Sequence, residues 1–280
     1  MYRSALVALK PEGSNEELLN YAVELAQRYS LRLSGTAILD RDLVAPPQAV
    51  PIGGMAFKVE LDEDRIARTR EQMVTAITTF REHCAAARVP FDDSCSSGSL
   101  CPELARAAQR NDFLLLGHTI GTLAVGHGQA DSPLQAILRH CPGPALVVPA
   151  QPPADGDGVV VAYDGSLQAV RALRSFIASG FNTKDSIHVV AYDNDLGAAR
   201  QFASIAKELL ASHGYQADAF PSSVPPGQSA ASLIQAACRL HDPRLLVMGA
   251  NGKSAVREFF LGSVTKSLLA EAQVPIFVDH

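Results

Sequence analysis

The run "MGANGKSAVREFFLGSVTKSLL", Met248 to Leu269, carries residue types suited to holding phosphate: Gly249, Gly252 and Gly262, with Ser263 after them. Glycine lets the backbone approach a ligand closely and take φ > 0, so that successive N–H groups point at one anion. Gly252-Lys253-Ser254 copies the tail of a Walker A loop, but the glycine that loop needs five positions earlier is Val247. The Walker arch is excluded. What remains is Gly249-x2-Gly252-x9-Gly262-Ser263, leading into the helical "SVTKSLLAEA". Ser263 is expected to cap that helix, whose N-terminus adds N–H groups and positive partial charge for an anion. Lys253 and Arg257 read first as solvated loop charges, and only second as phosphate ligands. In the spacer, Val256, Phe259 and Phe260 supply apolar material to fold the loop back onto the body.

These residues have to be positioned by a scaffold, and the chain spells that scaffold twice. "SALVALKPEGS" near the start parallels "VVVAYDGSLQAVRAL" at 159. "ARAAQRNDFLLLGH" parallels "IQAACRLHDPRLLVMGA", and "PGPALVVPA" parallels "QVPIFVDH". Strands are expected near 4–9, 32–39, 89–94, 112–117 and 145–149, then near 159–163, 186–192, 215–220, 244–249 and 275–279. Helical patterns lie between them, as in "SNEELLNYAVELAQRYS", where Ser14 and Glu17 form a capping box. Continuous apolar strands such as "FLLLG" and "RLLVMG" suit a sheet covered on both faces. The alternation predicts two similar α/β domains, each a parallel sheet with helices on both faces. The expected division is 1–150, a linker at 151–158 ("QPPADGDG"), and 159–280, with an insertion at about 41–62 in the first domain. Its "APPQAVPIGGM" reads as a lid or an interface loop.

In such a sheet ligands bind beyond the carboxyl ends of the strands, where the strand order reverses. Strand one of the second domain ends Tyr163-Asp164-Gly165-Ser166 and strand four ends Met248-Gly249, so a carboxylate and the glycine-rich loop share one rim. Asp164 alone would be read as a helix cap; beside that loop it is read as a nucleotide contact. Ser166 reads as a helix starter, since no His–Asp partners can be assigned to it as a nucleophile.

Length and composition bound the alternatives. The chain has 280 residues, 47% apolar and 19% charged, which suits globular domains. A formal charge of -5 gives no reason to bind nucleic acid or an anionic membrane. No membrane span and no signal peptide is expected. Five cysteines without a CxxC pair suit unpaired thiols in a reducing, cytoplasmic setting, and no metal site is expected.

The G-x2-G-x9-G-[ST] spacing after the fourth strand, together with Asp164, resembles the universal stress protein family. The resemblance extends over both halves, as a tandem member. It implies flavodoxin-like (Rossmann-like) five-stranded sheets and an ATP-binding subclass. By that resemblance Gly249, Asn251, Gly252, Gly262 and Ser263 hold the phosphates of ATP or another adenine nucleotide, with Mg²⁺ a possible companion. Asp164 sits by the ribose, the backbone at Ala191-Tyr192 faces the adenine, and Val264 and Thr265 add a backbone or hydroxyl contact. The family also implies association through the fifth strands: an intramolecular pseudo-dimer, with a homodimer possible and the protein partner unknown. The functional expectation is a nucleotide-responsive stress regulator without catalytic residues. The alternative is slow ATP hydrolysis at the same site, for which no water-orienting residue can be named.

The first half departs from the pattern. Lys10 stands where the aspartate should be, the loop begins Gly117-x3-Gly121, and Asp131-Ser132 replaces Gly-Ser, followed by Pro133. This half is expected to keep the fold without the ATP site, with an ion pair from Lys10 to Asp131 as a further expectation.

Overall fold

The computed structural model describes the chain except for Ile52 and residues 121–132, 154–155, 157, 182–185, 251–261 and 272. It divides into two compact units, Arg3–Pro142 and Gly143–His280, the second also taking in Met1–Tyr2.

The first unit contains β1 (Ser4–Leu9), α1 (Glu16–Tyr29), β2 (Arg32–Leu39), α2 (Arg41–Val44), α3 (Met55–Ala86), β3 (Phe91–Ser97), α4 (Leu100–Ala108), β4 (Phe113–Gly117) and α5 (Pro133–His140). Its strands pair in parallel in the order β3-β2-β1-β4. The apolar runs of β1 and β4 are almost wholly buried, as strands covered on both faces must be.

Two local expectations are corrected here. α1 begins after Asn15, whose side chain bridges the backbone N–H and C=O of Lys10 at 2.9 Å each. Ser14 Oγ accepts from Glu16 N at 3.0 Å, so the Ser14–Glu17 box does not form. Within 41–62, the Pro- and Gly-rich part does lie between helices, but its flanks are helical. Asp40 caps α2 through Asp42 N and Leu43 N, and residues 55–62 are the first turns of α3. "MAFKVELDEDRIARTREQ" has no glycine or proline and many strong helix formers, so the helix runs out as far as Gly54.

The second unit contains β5 (Ala145–Val148), β6 (Val159–Tyr163), α6 (Leu167–Ser179), β7 (Ile187–Asp193), α7 (Leu196–Ser212), β8 (Ala217–Ser223), α8 (Ala230–His241), β9 (Leu245–Gly249), α9 (Ser263–Ala270) and β10 (Ile276–Asp279). Its order is β5-β10-β9-β6-β7-β8, parallel throughout except for β5, which runs antiparallel to β10. The fifth strand of the first repeat is thus an edge of the second unit. Met1–Tyr2 also docks there: Tyr2 N donates to Ser179 O at 3.2 Å and its ring meets Phe181 edge-on. Phe176, Phe181 and Phe277, each at most 1% exposed, join in edge-to-face contacts at the core.

All five cysteines are free thiols. Burial pushes Cys84 and Cys238 up to about 11, which keeps them protonated and unreactive at neutral pH. Among the described residues no helix is long and apolar enough to cross a membrane, and no group of three His, Cys, Asp or Glu could hold a metal ion.

Candidate functional site

The strand order of the second unit reverses at β6, which has β7 on one side and β9 on the other. Beyond the carboxyl ends of these strands lies a cavity of about 300 Å³, at the lower end for small-molecule sites. Asp164, Gly249, Gly262, Ser263, Val264 and Thr265 all line it. Ala191 does not: it is fully buried within β7, and its neighbour Tyr192 lines the cavity instead. Asn251 and Gly252 lie outside the described residues, as do Lys253 and Arg257.

Each lining residue has a local reason for its place. Asp164 follows β6 and is 8% exposed; its Oδ1 accepts from Ser166 N at 3.0 Å, which shapes the turn into α6. Ser166 Oγ then caps that helix by accepting from Ala169 N at 3.2 Å, as expected for a helix starter. Gly165 between them has φ +72, and a Cβ there would fall 2.6 Å from the Phe202 ring. Gly249 is set by packing: a Cβ would sit 2.6 Å from Ala169 N and 2.7 Å from Gln168 C. The first turn of α6 therefore rests directly on the end of β9, which frames the cavity from below.

α9 begins differently from its neighbours. α6, α7 and α8 are each capped by a side chain, from Ser166, Asp195 and Ser229. At α9 the capping position is Gly262, which has no side chain, and Ser263 is the first helical residue rather than the cap. The first-turn N–H groups of α9 thus have no side-chain cap among the described residues, and they open on the cavity. Ser263 is exposed. Thr265 is not: at 1% exposure its hydroxyl donates to Ala250 O at 2.8 Å, which ties the helix to the end of β9. Gly262 N also donates to Ala250 O, at 3.3 Å, which draws the two ends of the loop together.

Charge is distributed unevenly around the cavity. Asp164 and Asp193 stand at the ends of β6 and β7, on one side, and the α9 N-terminus stands on the β9 side. Burial, then the nearby Asp164 carboxylate, push the phenols of Tyr163 and Tyr192 upward, so both stay neutral O–H groups. A ligand with hydroxyls at one end and negative charge at the other matches this arrangement. Asp193, Asn194, Val224 and Ala230 were not expected at the rim. Position alone could have found them, since the residues just past β7 and β8 open onto the same crevice.

In the first unit Lys10 ends β1, where Asp164 ends β6. Its Nζ donates to Thr119 Oγ1 at 3.0 Å, just past β4. Burial lowers its pKa. Gly121, Asp131 and Ser132 lie outside the described residues, so the expected Lys10–Asp131 pair does too. Pro133 begins α5, where proline is well accommodated.

Residues 157–280 match the model of the Universal stress protein family. Over 170 residues, 59% of its length, the chain is 25% identical to Universal stress protein Slr1230 of Synechocystis sp. (strain ATCC 27184 / PCC 6803 / Kazusa), and it spans 56% of that relative. Among solved structures it is similar to a universal stress protein from Archaeoglobus fulgidus DSM 4304, with 17% identity, TM-score 0.69, and 98% of this chain and 95% of that one covered. It is also similar to a putative universal stress protein from Pseudomonas aeruginosa UCBPP-PA14, with 14% identity, TM-score 0.58, and 99% and 92% covered. At such identities these two likenesses establish the fold alone.

Proposed function

We propose that the chain is a member of the universal stress protein family, whose model matches residues 157–280, that its second unit binds an adenine nucleotide, ATP foremost, and that this binding makes it a nucleotide-responsive stress regulator. The observation that carries the reading is the crevice beyond β6 and β9, where Asp164, Gly249, Gly262 and Ser263 surround one cavity beside an uncapped helix. Asp164 and Asp193 accept from ribose hydroxyls. The N–H groups of α9 and the hydroxyl of Ser263 meet the phosphates, and the family resemblance adds Asn251 and Gly252 as phosphate contacts. Mg²⁺, if it accompanies the nucleotide, would neutralise part of the phosphate charge.

One nucleotide per chain is expected. In the first unit a cation replaces the carboxylate, and its bond to Thr119 spans the ends of β1 and β4. Native mass spectrometry and titration calorimetry with ATP test both statements. Gly252→Val should abolish binding while the circular dichroism spectrum stays unchanged. Unaltered affinity in that variant removes the proposed cradle, and two equivalent sites per chain remove the stoichiometry.

A further inference from the structure

Two carboxylates, Asp164 and Asp193, are the only charged side chains among the described residues lining the cavity beyond β6. Asp164 follows β6 and Asp193 ends β7, whereas the α9 N-terminus faces the cavity from the β9 side. β7 and β9 flank β6, so they lie two strand spacings apart, about 10 Å. Asp193 is held from two directions. Its Oδ1 accepts from Asp195 N at 3.0 Å, and its backbone carbonyl accepts from Val224 N, just past β8, at 3.0 Å.

The first repeat shows what the fold alone requires here. Leu9 pairs with Ala37 and Tyr163 with Ala191, so Lys10 and Leu39 hold the places of Asp164 and Asp193. A matching bond supports the correspondence: Gly98 N donates to Leu39 O at 3.0 Å, as Val224 N does to Asp193 O. Leu39 is 2% exposed, so an apolar side chain serves the fold at this place. The two carboxylates occur together in the second repeat, and neither has a counterpart in the first.

An ionised carboxylate accepts hydrogen bonds and donates none. A ribose hydroxyl can donate to it in a charge-assisted bond. A phosphate ester on the same oxygen removes that donor and brings a second negative charge. We propose, resting on the nucleotide site inferred above, that Asp193 is a specificity-determining residue of that site. With Asp164, it makes the site select nucleotides whose ribose carries free 2′- and 3′-hydroxyls and reject those phosphorylated on either oxygen. The ligand class is thereby narrowed to ribonucleotides that carry phosphate at the 5′ end alone.

Titration calorimetry of the full chain with three triphosphates tests this: ATP, 2′,3′-dideoxy-ATP, and ATP phosphorylated on its 3′-oxygen. The wild type should bind each of the last two at least about tenfold more weakly than ATP, since each lacks a charge-assisted hydrogen bond. Asp193→Asn keeps an oxygen for Asp195 N, and Asp193→Leu copies Leu39 of the first repeat. In both variants ATP should bind roughly tenfold more weakly, and both preferences should shrink at least about threefold. Unchanged circular dichroism verifies that each variant is folded. Either analogue binding the wild type as tightly as ATP overturns the selectivity and leaves the nucleotide site standing. So do preferences that survive unchanged in both variants. A wild type that binds none of the three overturns the site and the selectivity together.

Discussion

Gly249 and Gly117 occupy the same place in the two repeats, each closing the fourth strand, yet they have different surroundings. A Cβ at Gly249 would stand 2.6 Å from Ala169 N, about 0.8 Å inside the 3.4 Å at which ordinary contact begins. The obstacle is backbone, anchored by the Ser166 cap, so it cannot rotate away. A Cβ at Gly117 meets nothing within 4 Å among the described residues. Overpacking of this kind costs roughly 1–3 kcal/mol. Replacing glycine by alanine also restricts the unfolded chain, which stabilises by about 0.4–1 kcal/mol where the native conformation is tolerated. Gly249→Ala should therefore lose about 1–2 kcal/mol, while Gly117→Ala stays neutral or gains a little. At roughly 2–4 °C per kcal/mol for a chain of this size, the two variants should melt several degrees apart. Thermal and urea unfolding followed by circular dichroism measure the difference. Equal shifts in both variants, or an unchanged Gly249→Ala, would refute the claim that the backbone of α6 dictates this glycine.

Asp164→Asn keeps an oxygen for Ser166 N but removes the charge, so it separates turn from ligand; ATP affinity measured by calorimetry should fall roughly tenfold, as a charged hydrogen bond becomes a neutral one. Thr265→Val should cost about 1 kcal/mol of stability in urea unfolding, because a buried hydroxyl bond to Ala250 O is lost. His241 stacks on His188 at 3.9 Å and lies 5.1 Å from Phe220, ring centre to ring centre. Its pKa is lowered, first by burial and then by His188, against a smaller opposing pull from Asp218. The folded state thus binds fewer protons there than the unfolded one. This contribution is whole above the ordinary value of 6.5 and shrinks as the pH falls below it. The urea midpoint should accordingly drop less between pH 7.5 and 5.5 in His241→Phe than in the wild type, to the extent that about 6.5 marks the unfolded titration.

Most of the scaffold was legible because its signals are local. β1, β2, β6 and β9 fall within a residue of the apolar runs that announced them. The Ser166 start of α6 was also readable, since Ser at that spacing has few other uses. What escaped depended on tertiary partners. Nothing in "SNEE" says that Asn15 will turn back to Lys10 rather than yield to Ser14. Thr265 sits in a motif beside Ser263, but burial against Ala250 O decides that its hydroxyl faces inward. Asp193 and Asn194 form no motif with the loop; they reach the cavity only because β7 lies next to β6. In the insertion, proline and glycine correctly marked 45–54, while the helix formers after them carried α3 outward without any core to reward it.

The second unit is discontinuous in the chain: Met1–Tyr2 lie at one end and β5 at 145–148, with the whole first unit encoded between them. Val147 finds its register partner in Ile276, far along the chain. The first unit is a continuous segment and can complete its sheet as it emerges from the ribosome. The second must wait, because β5 is made early and its antiparallel neighbour β10 comes more than 120 residues later. Its assembly therefore waits on the last strand, and such long-range pairing is intrinsically slow. A chain lacking residues 276–279 would leave β5 and β9 each with an open edge, and open edges of this kind invite pairing with other chains.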